Sequence, residues 1–239
     1  MTRARFWVVT AATAVGVAVT FSLGAWQFGR AHQKEALAGA IAARRDQAPL
    51  LPSALLAPDV AGQLHSPVRL RGTWVAERTV FLDNRQMGAR VGFYVATPLR
   101  LTGTDRAVLV QRGWAPRNFE RREALPPVET PAGEVELTGR IAPPPAKLYQ
   151  FGSAGSGAIR QNLDLVPFAA ETGLRLLPVT VLETGPASQG LLRDWPETGG
   201  RGPDTNYGYA AQWWALSALI AILYAWFQFI APRRRAPQA

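Results

Sequence analysis

Few side chains in this chain can do chemistry. Its 239 residues include two histidines, His32 and His65, two methionines and no cysteine. Thiolate zinc sites, cysteine nucleophiles, disulfides and copper transfer through Cys pairs or Met clusters are therefore excluded. A Ser-His-Asp triad would need one of the two histidines beside an activated serine, and no G-x-S-x-G elbow occurs. The glycine-rich run Gly152–Gly157 reads as a flexible loop and lacks the Lys-Ser/Thr pair of a phosphate loop. No Asp/Glu/His cluster has metal-ligand spacing, so no metal site is expected. These absences point to a protein that binds or scaffolds and is not an enzyme.

Arginines, amides and aromatic rings remain. Leu82-Asp83-Asn84-Arg85 and Arg112-Gly113-Trp114-Ala115-Pro116 each end an extended run with an arginine. Such an arginine is either solvated at a tight turn or a fork that grips a carboxylate bidentately. A second group lies at the ends of two apolar stretches. Trp26, Gln27 and Arg30 close the first, with Trp26 and Arg30 four apart on one helical face. Asn206, Tyr209, Gln212, Trp213 and Ser217 open the second, spaced by three and four as one stripe. An interfacial aromatic belt accounts for Trp26, Tyr207 and Trp214. It does not account for Gln27 or Gln212, because an amide at membrane depth needs a partner. A belt and a small pocket between two helices at the outer membrane surface both stand as readings.

The elements that must position these residues follow from charge and hydropathy. No charged residue occurs from Phe6 to Gly29 or from Thr205 to Pro232, and about 20 apolar residues suffice to span a bilayer. The expected organisation is a tail at 1–5, a transmembrane helix at 6–28, an extracytoplasmic domain at 29–206, a second transmembrane helix at 207–231 and a tail at 232–239. Arg3, Arg5, Arg233, Arg234 and Arg235 hold both tails in the cytoplasm, and the long middle segment is exempt from that rule. The first stretch exceeds a signal-peptide core, and Trp26-Gln27-Phe28 is a poor start for a mature chain, so it reads as an uncleaved anchor. With the tail arginines set aside, 21 of the 26 basic residues face 17 acidic ones. A dispersed excess of that size is no nucleic-acid footprint.

Within the middle domain a helical extension is expected at 29–46, ended by Pro49, Pro52 and Pro58, and a β-rich region at 66–184. Val68–Trp74 and Thr79–Asn84 read as strands, and Gly92–Leu101 with Ala107–Trp114 as a hairpin. Glu134–Ile141 and Pro178–Glu183 read as two more strands. One helix is expected at Leu165–Thr172, capped by Asp164 and stopped by Gly173. The fold class is thus a membrane protein in which two transmembrane helices bracket an α+β domain, built on an antiparallel sheet or small barrel.

The motifs resemble those of the Surfeit locus protein one (Shy one) family, assembly factors of haem–copper cytochrome oxidases. The likeness runs through Leu23-Gly24-x-Trp26-Gln27-x-x-Arg30 with Lys34, Leu82-Asp83-Asn84-Arg85, Gly92-Phe93-Tyr94-Val95-x-Thr97-Pro98-Leu99, Arg112-Gly113-Trp114-x-Pro116 and Gly208-Tyr209-Ala210-x-Gln212-Trp213. Each is weak alone. Five in order between two apolar stretches are specific. The resemblance implies a bacterial inner-membrane protein with a periplasmic domain that helps to place or stabilise haem a in oxidase subunit I. Its partners would be subunit I, the haem a synthase and the lipid bilayer.

One position departs from the family. Haem-binding bacterial members carry a histidine three residues before the Tyr-Ala pair, where this chain has Asn206. An amide is a poor iron ligand beside imidazole. Axial ligation would fall to His32, with His65 a weaker candidate, and haem propionates would pair with Arg30, Arg85 or Arg112. The alternative is a scaffold that clamps an oxidase intermediate without haem. An extracytoplasmic sensor would need an output module that the short tails do not supply, and a tethered enzyme would need a catalytic constellation.

Overall fold

The computed structural model describes residues 2–120, 124–149, 157–196 and 202–234. The expected loop at 152–156 and the end of the C-terminal tail lie outside them. Contacts divide the chain into two units, Met1–Gly39 with Thr198–Ala239, and Ala40–Glu197.

The first unit is a helix pair. Helix α1 spans Arg3–Arg45, so the apolar stretch and its expected extension form one uninterrupted helix whose residues beyond Gly39 belong to the second unit. The second helix of the pair (α3 in chain order, Pro203–Ala225) starts with proline in its first turn, where a missing N–H costs nothing, and continues through a π turn at Trp226–Ile230. Among the described residues these two helices are long and apolar enough to cross a membrane. Their outer faces are open, with Val8 68%, Val15 63%, Ile222 63% and Phe227 64% exposed. Apolar surface of that extent calls for lipid or protein to cover it.

The helices pack antiparallel through a seam of small and polar residues. Thr10 Oγ1 meets Tyr224 Oη at 2.7 Å, Ser217 Oγ donates to the Val17 carbonyl at 3.3 Å, and Trp214 Nε1 donates to the Phe21 carbonyl at 3.3 Å. Gly24 makes room for the partner helix, since a Cβ there would sit 2.4 Å from the Trp214 ring. On α1 the residues facing the partner helix (Thr10, Val17, Thr20, Gly24, Gln27, Ala31 and Lys34) recur by three and four, the period of a left-handed helix pair.

The second unit is a mixed β-barrel. Its strands are β1 Pro67–Trp74, β2 Val80–Met87, β3 Arg90–Leu101, β4 Arg106–Pro116, β5 Glu134–Ala142, β6 Ile159–Arg160 and β7 Arg175–Glu183. The sheet order is β1-β5-β7-β4-β3-β2-β6, and an added β1–β3 pairing closes five of the strands into a ring. Of the two forms expected, an antiparallel sheet or a small barrel, the barrel is found, and its sheet is mixed, because β4 pairs parallel with β7 and β2 parallel with β6. Sequence period reveals a strand but not its neighbour, and β7 reaches β4 only after a long connection that carries a short helix.

Every strand of the ring sends apolar residues into the interior, among them Val68, Leu99, Val110, Ile141 and Val181. Strand β4 is buried from Ala107 to Ala115 with no alternation, because its outer face is covered as well. Part of that cover is α2 (Leu165–Thr172), whose Leu165 and Phe168 pack with Val80, Leu82, Ala96 and Leu109. Gly173 ends α2 in the left-handed region at φ 69, as expected. Asp164 precedes α2 but makes no side-chain cap, since its carboxylate is taken by Lys147 Nζ at 2.7 Å.

Candidate functional site

The expected site residues at the helix ends separate into a connected cluster and an open face. Asn206 Nδ2 donates to Gln27 Oε1 at 2.6 Å, and Lys34 Nζ donates to Asn206 Oδ1 at 2.7 Å. One amide thus satisfies a second amide and an ammonium across the helix pair. This meets the demand for a partner that Gln27 raised in the sequence. Beside it, the Tyr207 hydroxyl donates to Glu35 Oε2 at 2.9 Å and lies 2.8 Å from His32 Nδ1.

That geometry gives the contact between Tyr207 and His32 a direction. A hydroxyl has one hydrogen, and that of Tyr207 goes to Glu35. Its oxygen is thus left to accept from His32 Nδ1. The His32 side chain is 58% exposed and its ring packs against Phe28 at 4.4 Å between centroids. A histidine anchored through one ring nitrogen is the usual arrangement of a metal or haem ligand. Sequence reasoning misses Lys34, Glu35 and Tyr207 as site residues, although the i, i+3 spacing of His32 and Glu35 on a helix is a legible signal.

The stripe on the second helix needs correcting. Asn206, Ala210 and Ser217 turn toward α1, while Tyr209 and Gln212 are exposed and Trp213 is half-buried. At about 100° per residue, Tyr209 and Gln212 lie about 60° and 120° around the helix from Asn206, and they leave the seam. Trp26 is also exposed, and Arg30 donates to its own neighbour Gln33 at 2.9 Å on an exposed face. Of the residues expected together, the cluster keeps Gln27, His32 and Asn206.

Arg85 and Arg112 have a different task from either one expected. Both are buried in the second unit, and among the described residues neither is paired with a carboxylate by hydrogen bonding. Arg85 donates to the carbonyls of Ala146 and Gln161 at 2.8 and 2.9 Å. The Arg112 guanidinium stacks 4.7 Å over Trp74 and donates to Thr130 Oγ1, the Glu129 carbonyl and Gln189 Oε1. Burial lowers the pKa of both, and Glu183 partly offsets this at Arg112. They brace loops to the barrel, and the Nε of each is buried without a hydrogen-bond partner among the described residues.

The quoted motifs of this unit converge on Trp114. Its Nε1 donates to the Arg85 carbonyl at 2.9 Å, just past a bulge where Asn84 adopts φ 58. Its backbone pairs in both directions with Leu192 at 2.7 and 2.9 Å. Gly113 admits that segment, because a Cβ there would meet Leu191 Cβ and the Leu192 oxygen at 2.7 Å.

With this geometry in place, comparison with known proteins decides the family. The SURF1 family model matches residues 14–218. The chain belongs to the SURF1 family. It is 28% identical to a SURF1-like protein of Drosophila melanogaster over 90% of this chain and 75% of that protein. It is 32% identical to a SURF1-like protein of Monosiga brevicollis over 52% of this chain and 49% of that one. The stretch shared with the SURF1 family contains both the polar cluster of the helix pair and the arginine braces of the barrel.

Proposed function

We propose that this SURF1 family member serves the assembly of haem–copper cytochrome oxidase as a membrane-anchored binding protein, helping to insert haem a into subunit I or to stabilise that subunit. Family membership supports the assembly role. The helix pair lies in a bacterial inner membrane with both termini cytoplasmic and the barrel periplasmic. The open apolar faces and the basic tails support that placement. The protein acts by holding and releasing, without turnover.

The observation that carries the haem reading is the anchoring of His32 Nδ1 by the Tyr207 hydroxyl at 2.8 Å. The histidine Nε2 would hold the haem iron, while Tyr207 and Glu35 fix the ring through Nδ1. Phe28, packed on the imidazole, restricts its rotation. The exposed guanidinium of Arg30 is the cation of this unit suited to a propionate. Haem a supplies the iron and the conjugated ring when bound; the chain supplies orientation and a polar edge. The donor would be the haem a synthase.

A second reading is favoured by Asn206. At the place of the family histidine, its amide is engaged by Gln27 and Lys34. That fits a clamp on an oxidase intermediate that never touches haem. The visible spectrum of protein purified from haem-a-producing cells separates the two. The haem reading expects a stoichiometric Soret band that His32→Ala abolishes or shifts, and a bare spectrum leaves only the clamp. For assembly itself, deleting the gene is expected to remove assembled oxidase and its haem spectrum, and normal oxidase activity would overturn the reading.

A further inference from the structure

The helix pair ends in a cleft of about 660 Å³, lined by Arg3, Phe6, Trp7, Phe227, Gln228 and Pro232, which the function proposed above does not use. The seam leads into it. Thr10, Val17, Gly24 and Ala31 face the partner helix at intervals of seven, and seven residues before Thr10 stands Arg3. On the second helix, Ser217 and Tyr224 contact α1, and Gln228 follows Tyr224 by four on the same side. As far as the contact of Thr10 with Tyr224, side chains fill the seam. Beyond it the second helix takes the π turn Trp226–Ile230, an irregularity that helices keep mostly at functional sites.

The polar groups at this end lack partners. Neither the Arg3 guanidinium nor the half-buried Gln228 amide makes a hydrogen bond or ion pair among the described residues. No acid is near Arg3. The acidic residues of this unit are Glu35 and Asp204. Glu35 lies about 50 Å along α1 at ~1.5 Å per residue, and Asp204 opens the antiparallel helix at that same far end. Arg5, Arg233, Arg234 and Arg235 only add like charge to the two tails. The other walls are apolar, with Trp7 67% exposed.

We propose, on the membrane placement set out above, that this cleft seats an anionic phospholipid, its phosphate held by Arg3 and the Gln228 amide and its acyl chains laid along Phe6, Trp7 and Phe227. Charge complementarity selects the occupant. A guanidinium fork matches a phosphate, and basic pockets between membrane helices on the cytoplasmic side suit anionic headgroups. A zwitterionic lipid would bring its own cation to an end rich in arginine. A soluble anion would leave the aromatic walls uncovered.

Electron paramagnetic resonance of the full chain in phosphatidylcholine vesicles tests the site, with spin-labelled phosphatidylglycerol or phosphatidylcholine as the probe. The motionally restricted lipid is expected to favour phosphatidylglycerol about fivefold, the worth of one basic contact at an anionic headgroup. Arg3→Gln should lose most of that preference and Gln228→Leu part of it. Arg5→Gln removes the same charge from the opposite side of α1, about 200° away, and should keep it. No preference, equal loss in Arg3→Gln and Arg5→Gln, or full displacement by millimolar glycerol phosphate would overturn the site. Flotation with the same vesicles keeps the two readings apart. A chain that does not float refutes the membrane placement itself, and a floating chain without the preference overturns the lipid site alone.

Discussion

The Tyr207 hydroxyl and His32 Nδ1 lie 2.8 Å apart, and the direction of that hydrogen bond is set by a third residue, Glu35. Through it a tyrosine on one helix of the pair anchors a histidine on the other by its Nδ1.

Removing the acceptor should loosen the ligand without deleting it. Tyr207→Phe frees His32 to rotate, and a lost partner of this kind costs about 10- to 100-fold in affinity. Haem titration followed by absorbance should show a weakened band, where His32→Ala shows none. Equal affinity in Tyr207→Phe and the parent would separate the anchoring from ligation.

Gly24 sets how closely the helices approach. Gly24→Leu must displace the rigid Trp214 ring, which lies 2.4 Å from the first added carbon. Overpacking of this kind costs about 1–3 kcal/mol. A lower thermal midpoint in detergent and a changed tryptophan emission are expected, and an unaltered melt would mean that the helices do not meet there.

The amide bridge should show as coupling. Asn206→Ala leaves Gln27 and Lys34 without their shared partner, a loss of about 1 kcal/mol for a polar contact between membrane helices. Combining it with Gln27→Ala in a double-mutant cycle, read by denaturation in mixed micelles, should cost less than the two single losses added together. Full additivity would remove the bridge from the account.

Much of this architecture was legible because its cause is local. Uncharged runs announce the helices, and Gly173 announces the end of α2. The ring of strands was not legible, because the β4–β7 pairing joins segments whose sequences carry no mutual mark. Arg85 and Arg112 resemble surface residues in any composition reading; only tertiary contacts disclose that carbonyls and the Trp74 face surround them. At the helix ends, Gln27 signalled an unmet need, but which side chain would meet it depended on the register of two distant segments.

Arg112 should be costly to replace. Arg112→Met strands Thr130, Gln189 and the Glu129 carbonyl without their donor and leaves Glu183 with less positive charge nearby. Orphaned buried groups of this kind cost about 3 kcal/mol or more in sum. Arg112→Lys should recover part, since it restores charge without the fork. Chemical denaturation of the full chain measures both.

His65 gives the barrel a pH dependence of known sign. Its folded pKa lies below the ordinary 6.5, so the unfolded chain binds the proton more readily. The contribution is complete above about 6.5 and is lost as pH falls from there through the folded value. Midpoints at pH 7.5 and 5.5 should differ more in the parent than in His65→Asn, a residue that tolerates the same backbone. An equal difference in both would assign the slope to other groups.

Strand β7 sits between β4 and β5, two strands that precede it in the chain. The ring therefore cannot close by adding strands in the order in which they leave the ribosome. Until Arg175–Glu183 arrives, β4 and β5 each present an unpaired edge, the kind of surface on which nascent chains aggregate. The last strand to be made is the one that locks the barrel, so a chain truncated before it should be prey for quality-control proteases however well its earlier strands are formed.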